Sequence, residues 1–440
     1  MKTRVFGAIA LTALLAACDS PLDTDPTASI DEGTALSTAR GIELGLNGAY
    51  RSLSGSSLYG VNEMAYPDLY ADNLDFTGTF QTDREVALRN ISTTNGSVLG
   101  TWSTTYDGIN RANNILDAIP NVSGLSATEA AVARGEALFI RAVHYMLLNR
   151  YFGGVPLVLT PTRGVTDESL VSRATTAEVW TQVEKDLEEA RGLLPTGRVN
   201  GRATQAAADA LLARVYLESG KYTQARDKAT LVIANTAFRL NTTYRDNFTV
   251  KNSPESIFEL PYSVNHQNSQ AFWFFPQALG GRLGYAPSLN LFNAYPAGDR
   301  RRDASIALSG TQRYAHKYFR IANGDDNVIV LRLAEMYLIR AEANARLNAA
   351  ADVVRNDLNV VRARAGLAPL ATDVDTQSEL FDAILLERRL EYAFEGHRFY
   401  DLRRLGRAEA VLQLQPAKLL WPIPQAERDV NQNLAQNPGY

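Results

Sequence analysis

Apolar residues recur at spacings of three and four along most of the chain, the period of helices that bury one face. Ala35, Leu36, Ala39, Ile42, Leu46, Ala49 and Tyr50 predict a first helix within residues 29–54. A loop-rich stretch marked by Gly55, Gly60, Pro67 and Gly78 follows. The pattern resumes from about Val98 through Trp102, Tyr106, Ile109, Ala112, Asn113 and Leu116, until Pro120 stops it. The next helix, Ala127 to Tyr151, runs into Phe152-Gly153-Gly154-Val155-Pro156, which cannot prolong it. After a loop of about twenty residues, long enough to suggest a function, Val179, Val183, Leu187, Ala190 and Leu194 stripe a helix from Thr176 to Leu194.

A repeat then emerges. Leu212-Ala213-x-x-Tyr216 followed by Ala225 and Ala229, with Gly220 and Tyr222 at the turn, fits the tetratricopeptide frame, in which small residues let paired helices close and an aromatic fills the gap. Asp209 stands where that frame has Trp, and Ala229 where it has Phe. Leu333-Ala334-x-x-Tyr337 begins a second copy, and Ala142-x-x-Tyr145 with the Thr176 to Leu194 helix a third. Such pairs share a core with their neighbours and stack into one body, so residues 29–440 are expected to form a single, mainly α unit with little β structure. Between about 238 and 326 the helical period lapses and Asn, Gly, Pro and aromatics accumulate, which predicts an ordered, loop-rich insertion with short strands such as Ser256 to Tyr262.

The N terminus reads differently. A basic start (Lys2, Arg4), an apolar run and Leu15-Ala16-Ala17-Cys18 make residues 1–17 an export signal, with Cys18 the expected lipidation site. Two or three acyl chains there would anchor the protein stably, whereas one would not. Residues 18–28, acidic and broken by Pro21 and Pro26, read as a flexible tether. Cys18 is the single cysteine, so disulfides within the chain and thiol catalysis are excluded. With net charge −4 and a densest basic run, Arg300 to Arg302, flanked by Asp299 and Asp303, nucleic-acid binding is not expected.

Near the C terminus stands Glu387-Arg388-Arg389-Leu390-Glu391-Tyr392-Ala393-Phe394-Glu395-Gly396-His397-Arg398-Phe399-Tyr400-Asp401-Leu402-Arg403-Arg404, and the chain closes with Pro422-Ile423-Pro424 and Gln436-Asn437-Pro438-Gly439-Tyr440. These segments, with Arg141-Ala142, Tyr151 to Leu157, Tyr285 to Asp299 with Arg301, and Leu331 to Leu338, resemble the SusD/RagB family across essentially the whole mature chain. That resemblance implies four tetratricopeptide-like helix pairs carrying loops, a body seated as a lid on a SusC-like TonB-dependent transporter, and a cell-surface lipoprotein of the outer membrane that binds an oligosaccharide or other polymer fragment for nutrient uptake. Peptide binding within the same family is one alternative, and a periplasm-facing tetratricopeptide scaffold lipoprotein another. In the signature itself Glu387, Glu391 and Glu395 fall at i, i+4 and i+8 on one helix face, with Gly396 ending the helix and Arg388, Arg389, Arg398, Arg403 and Arg404 in reach to pair with them.

A sugar presents flat apolar faces ringed by hydroxyls, so its site needs aromatic platforms beside hydrogen-bonding side chains. The segment from Asn265 to Pro276 supplies both, and from it and the residues behind it Asn268, Trp273, Phe274, Phe275 and Tyr285 are candidate ligand contacts. A second segment, Asp68 to Arg84, adds Asp72, Asn73 and Arg84, and the family resemblance implies that the following helix contributes Trp102. No catalytic role, cofactor or metal is expected: the four histidines have no ligand spacing, no GxSxG or phosphate loop occurs, and the Asn323-Gly324-Asp325-Asp326 turn lacks calcium-loop spacing and reads as solvated.

Overall fold

A computed structural model describes residues 32–164 and 170–440. The expected leader, Cys18 and tether lie outside these residues. Helices dominate: α1 (Ala39–Leu53), α2 (Asn62–Tyr70), α3 (Gln81–Ala87), α4 (Gly96–Ala118), α5 (Ala127–Phe152), α6 (Thr176–Leu193), α7 (Gln205–Glu218) and α8 (Tyr222–Ala234) precede the insertion. Within it lie β2 (Ser256–Leu260), α9 (Gln270–Phe274), β3 (Tyr285–Pro287), β4 (Ile306–Ser309) and β5 (Gln312–Ala315), and β1 (Leu74–Phe76) reaches it from the first half. Then come β6 (Val328–Arg332), α10 (Leu333–Arg346), α11 (Ala351–Ala365), α12 (Gln377–Glu391) and α13 (Arg398–Arg404).

Local chemistry sets the helix ends. Ser126 with Glu129, Thr175 with Glu178, and Thr376 with Glu379 each form a reciprocal capping box at the start of α5, α6 and α12. The single helix expected from residue 29 is split: a helical turn at Glu32–Ala35 precedes α1, which starts anew at the Thr38 cap, where the Thr38 hydroxyl accepts from Gly41 N–H and the Ala35 carbonyl lies so close that a Cβ on Gly41 would be 2.1 Å from it. Each helix then packs on the next, α4 on α5, α5 on α6, α6 on α7, α7 on α8, α8 on α10 and α10 on α11. Ala213, Ala225 and Ala229 are wholly buried between α7 and α8, the small-residue closure that the repeat pattern predicts. At the root of the insertion β2 and β6 pair antiparallel, every side chain of both strands buried.

The stretch expected to be loop-rich contains a helix, α2, despite Pro67 inside it. Proline leaves the Glu63 carbonyl without its usual intrahelical partner, and the chain at Gly396 (φ +76°) lies against that oxygen so closely that a Cβ there would sit 2.1 Å away.

The signature also departs from expectation. The helix ends at Glu391, not at Gly396. Phe394 and Gly396 take positive φ, and their N–H groups, 3.3 and 3.2 Å away, are accepted by the Asp68 carboxylate. Glu395 therefore leaves the helix but stays in the network. Its partners and those of its neighbours come from afar: Arg301 joins Glu391 at 3.2 Å, Glu387 and Asp299, Arg332 reaches Glu391 and, at 2.9 Å, Glu395, Arg364 pairs with Glu391 and Glu255, and Lys317 with Glu395 at 2.7 Å. Burial pushes the Glu391 carboxyl up, but Arg364, Arg332 and Arg301 outweigh it and hold the group well below the usual carboxylate range. The arginines expected to pair locally serve elsewhere: Arg388 and Arg404 hold Asp401, Arg389 and Arg398 hold Asp72, and Arg403 caps the carbonyls of Arg150 and Leu419. This clasp ties the insertion, α10, α11 and α12 together.

Candidate functional site

On α9, a single helical turn, Gln270, Ala271 and Phe274 face inward while Phe272 is exposed and Trp273 is half-buried against the core. After it the chain doubles back. Gly281 lies where a Cβ would come 2.2 Å from the Phe275 carbonyl, and this tight return lets the N–H groups of Arg282, Leu283 and Gly284 donate to Phe272, Phe275 and Trp273 carbonyls, each at 2.7 Å. Gly284 lies directly under the indole of Trp273, and its own carbonyl accepts from Thr77 N–H at 3.0 Å. The loop after β1 is thereby drawn to α9.

Three rings and a guanidinium result. Phe80 meets Trp273 edge-on with centroids 5.8 Å apart, Phe272 meets it from the other side at 5.7 Å, and the Arg282 guanidinium lies 4.5 Å from the Phe80 ring centre and 5.5 Å from that of Trp273. Arg282 also donates to the Thr79 hydroxyl at 3.2 Å. Phe80 and Phe272 keep 45% and 43% of their surface exposed, which is unusual for rings that large. Below them Tyr285 donates to Asp83 at 2.9 Å, and Tyr66 donates to the other oxygen of the same carboxylate at 2.7 Å, fixing α3 to β3.

Two cavities open on either side of β1. One, about 530 Å³, is walled by Asp75, Thr77, Gln277, Arg282, Gln312 and Arg313. The other, about 780 Å³, includes Asp72, Asp75, Phe76, Arg84 and Arg89.

Of the residues singled out in the sequence, Trp273 forms the centre of the platform, and Arg84 stands exposed at the larger cavity with its guanidinium 5.8 Å from the Phe76 ring centre. Asp72 lines that cavity, but burial of its carboxyl is outweighed by Arg398 and Arg389, which bind it at 2.7 and 3.1 Å and hold it ionised below the usual range. Phe274, Phe275 and Tyr285 are buried under the platform as its support. Asn268, also buried, donates to the Asp326 carbonyl and accepts from Gln270 N–H, which sets the start of α9. Asn73, 1% exposed, donates to Asp68 and accepts from Arg389. Trp102 is elsewhere: 2% exposed, it packs edge-on against Phe152 at 5.0 Å beside a separate cavity of about 370 Å³ that Glu427 also lines. The turn at 323–326 is solvated only in part: Asn323 is exposed and Asp325 meets Lys251 near the surface, whereas Asp326 is buried, accepting from the N–H groups of Phe319 and Arg320 and pairing with Arg320.

Phe80, Phe272, Arg282 and Arg313 complete the arrangement. The first three stand within the two segments that the sequence marks; nothing in the sequence marks Arg313. Among the described residues no three His, Cys, Asp or Glu side chains are placed to hold a metal ion, and no helix is long and apolar enough to cross a membrane. Burial raises the carboxyls of Glu63 and Asp68 to about 7, yet both are enclosed, Glu63 at 2% and Asp68 at 0% exposure, and neither lines either cavity beside β1. The surface can stack a flat apolar face and hydrogen-bond its rim.

A family model described as the SusD family matches residues 289–418, and another, described as starch-binding and associating with the outer membrane, matches residues 23–217. SusD-like protein P2 of Formosa agariphila is 28% identical over the whole of both chains. The starch-binding protein SusD of Bacteroides thetaiotaomicron is 25% identical over 76% of this chain and 77% of that protein. Among solved structures, a laminarin binding SusD-like protein superposes with a TM-score of 0.82 at 27% identity, covering 92% of this chain and all of its own. A SusD superfamily protein from Bacteroides vulgatus shares the fold at a TM-score of 0.83 and 23% identity, covering 92% of this chain and 100% of its own.

Proposed function

We propose that this chain is a SusD/RagB-family protein that captures glycan fragments on the platform of Trp273, Phe80 and Phe272 and passes them to a TonB-dependent outer-membrane transporter without chemical change. The observation that carries this reading is the cluster of exposed rings with Arg282 stacked across it, beside cavities rich in hydrogen-bonding groups. Rings left in water are costly to a folded protein unless a ligand covers them, and a pyranose face is a flat apolar surface of that kind. The starch- and laminarin-binding relatives support the ligand class.

Calorimetric titration of the acyl-free protein against oligosaccharides tests it. Micromolar-range binding is expected, weakened about tenfold by Trp273→Ala, since a stacked ring contributes ~1–1.5 kcal/mol beyond its buried area. Equal affinity in the variant, or cleavage of the oligosaccharide at enzyme-like rates, would refute the reading.

The family resemblance and the residues around Cys18 support lipid anchoring at that cysteine in the outer membrane, with the body facing outward on a SusC-like partner. Protease shaving of intact cells should release the body, and affinity capture should recover a barrel transporter. Protection from protease in intact cells would instead place the body on the periplasmic side.

A further inference from the structure

We propose that the glycan taken by this site is anionic, its carboxylate or sulfate held by Arg282 and Arg313 in the 530 Å³ cavity beside the platform. The proposal rests on the reading of that platform as a glycan site and names the sugar chemistry it selects.

Positive charge is distributed unevenly in this protein. The chain is acidic overall, with net charge −4. In the clasp every guanidinium meets carboxylates: Arg301, Arg332 and Arg364 each pair with two or more. Around the platform the pattern reverses. Arg313 on β5 is fixed by one bond, Nε to the Pro287 carbonyl at 2.9 Å, and among the described residues no acceptor meets its two terminal nitrogens. Arg282 is fixed by the ring faces of Phe80 and Trp273 and one bond to Thr79, and among the described residues no carboxylate pairs with it. Both guanidiniums wall the same cavity, whose one acidic side chain among the described residues is Asp75, bound to neither. In the cavity across β1, Arg84 likewise pairs with no carboxylate among the described residues, while Asp72 there, which also attracts Arg89, is already bound by Arg389 and Arg398.

A neutral sugar needs acceptors and donors in balance, and Asp75, Thr77, Gln277 and Gln312 supply them. Two preset guanidiniums with spare terminal N–H groups add something different. Arginine's planar fork matches an oxyanion, and its charge-assisted bonds are about twice as strong as neutral ones. Because Arg282 is stacked on the rings, a sugar lying on the platform would bring a ring substituent to it with little ordering cost.

The test titrates parent protein with a neutral gluco-oligosaccharide, an oligogalacturonate and a sulfated galacto-oligosaccharide of equal length, at low and high NaCl. The expected result is that one charged probe binds about tenfold or more tightly than the neutral one at low salt, with the advantage shrinking as the screening length falls from ~10 Å at 0.1 M to ~3 Å at 1 M. Preference for the galacturonate assigns a carboxylate, and preference for the sulfated probe a sulfate ester; either supports the proposal. Arg313→Gln should collapse the charged-to-neutral affinity ratio, and Arg313→Lys, which keeps charge but loses the fork, should restore part of it. Neutral and charged probes bound equally, with no salt dependence, would overturn the anion assignment while leaving the glycan platform standing. Failure of every probe to bind, with Trp273→Ala no different from parent, would overturn both.

Discussion

Glu391→Gln tests the clasp most directly. The Glu391 carboxylate is fully buried and meets the guanidiniums of Arg301, Arg332 and Arg364. Glutamine has the same shape but no charge, and it turns an NH₂ toward a guanidinium that needs an acceptor. Removing one partner of a buried ion pair costs about 3–5 kcal/mol, because the opposite charge is left unpaired. Unfolding entropy of about 2.1 cal/mol/K per residue over a body of about 400 residues gives ~0.8 kcal/mol/K, so the variant should melt ~4–6 °C lower. Differential scanning calorimetry at pH 7 reads this directly. The sign of the pH dependence follows from the depressed carboxyl. Its stabilisation is present above the unfolded value of about 4.3 and is lost as pH falls toward the folded one, so the gap between parent and variant should narrow by about 1 kcal/mol between pH 5 and 3.5. A melting point within 1 °C of parent at pH 7, or a gap indifferent to acid, would show that the guanidiniums are compensated in some other way.

Further expectations concern single contacts. Gly396→Ala should cost more than about 2 kcal/mol in thermal unfolding, since a Cβ at φ +76° would lie 2.1 Å from the Glu63 carbonyl oxygen; Gly192→Ala on α6, with open space around it, should be neutral or stabilising by up to ~1 kcal/mol. Burial raises the Asp68 carboxyl to about 7, so its contribution to stability is full below the unfolded value and lost as pH rises through 7. Measured by urea unfolding, parent should therefore gain about 2 kcal/mol relative to Asp68→Asn between pH 7.5 and 5. Trp102→Phe shrinks a ring buried against Phe152 and should lower stability by about 1–2 kcal/mol while glycan affinity stays within twofold, which titration and melting together would check.

The helical frame was legible because periodicity and capping are local. The helices from Ala127 to Tyr151 and from Thr176 to Leu194 could be read from stripes a few residues apart, and so could the alanines that close α7 on α8. Pairings were not. The arginines nearest to Glu387, Glu391 and Glu395 looked like their partners, but Arg301, Arg332 and Arg364 took those places from 27 to 90 residues away, because the strands and helices that bring them together are set by tertiary packing. The binding surface shows the same division. A run of four aromatics from Phe272 to Phe275 announces a site, yet which two face out depends on a single turn of helix and a glycine return too short for sequence periodicity to resolve. That Phe80 would complete the surface could not be seen, since the contact joins segments about 190 residues apart and nothing in either one specifies the other's register.

The clasp also dictates an order of events in folding. Arg301, Lys317, Arg332 and Arg364 are all made before Glu391 and Glu395, so a chain emerging from its N-terminal end holds these four cations with only Glu255 and Asp299 of the clasp's carboxylates to offset them, until almost nine-tenths of it is present. Until then the stacked helix pairs can form from near neighbours, but the segment bearing the platform has no lock. Truncation upstream of Glu391 should therefore leave a helical body whose binding loops never settle, and the last step of maturation is the arrival of two glutamates.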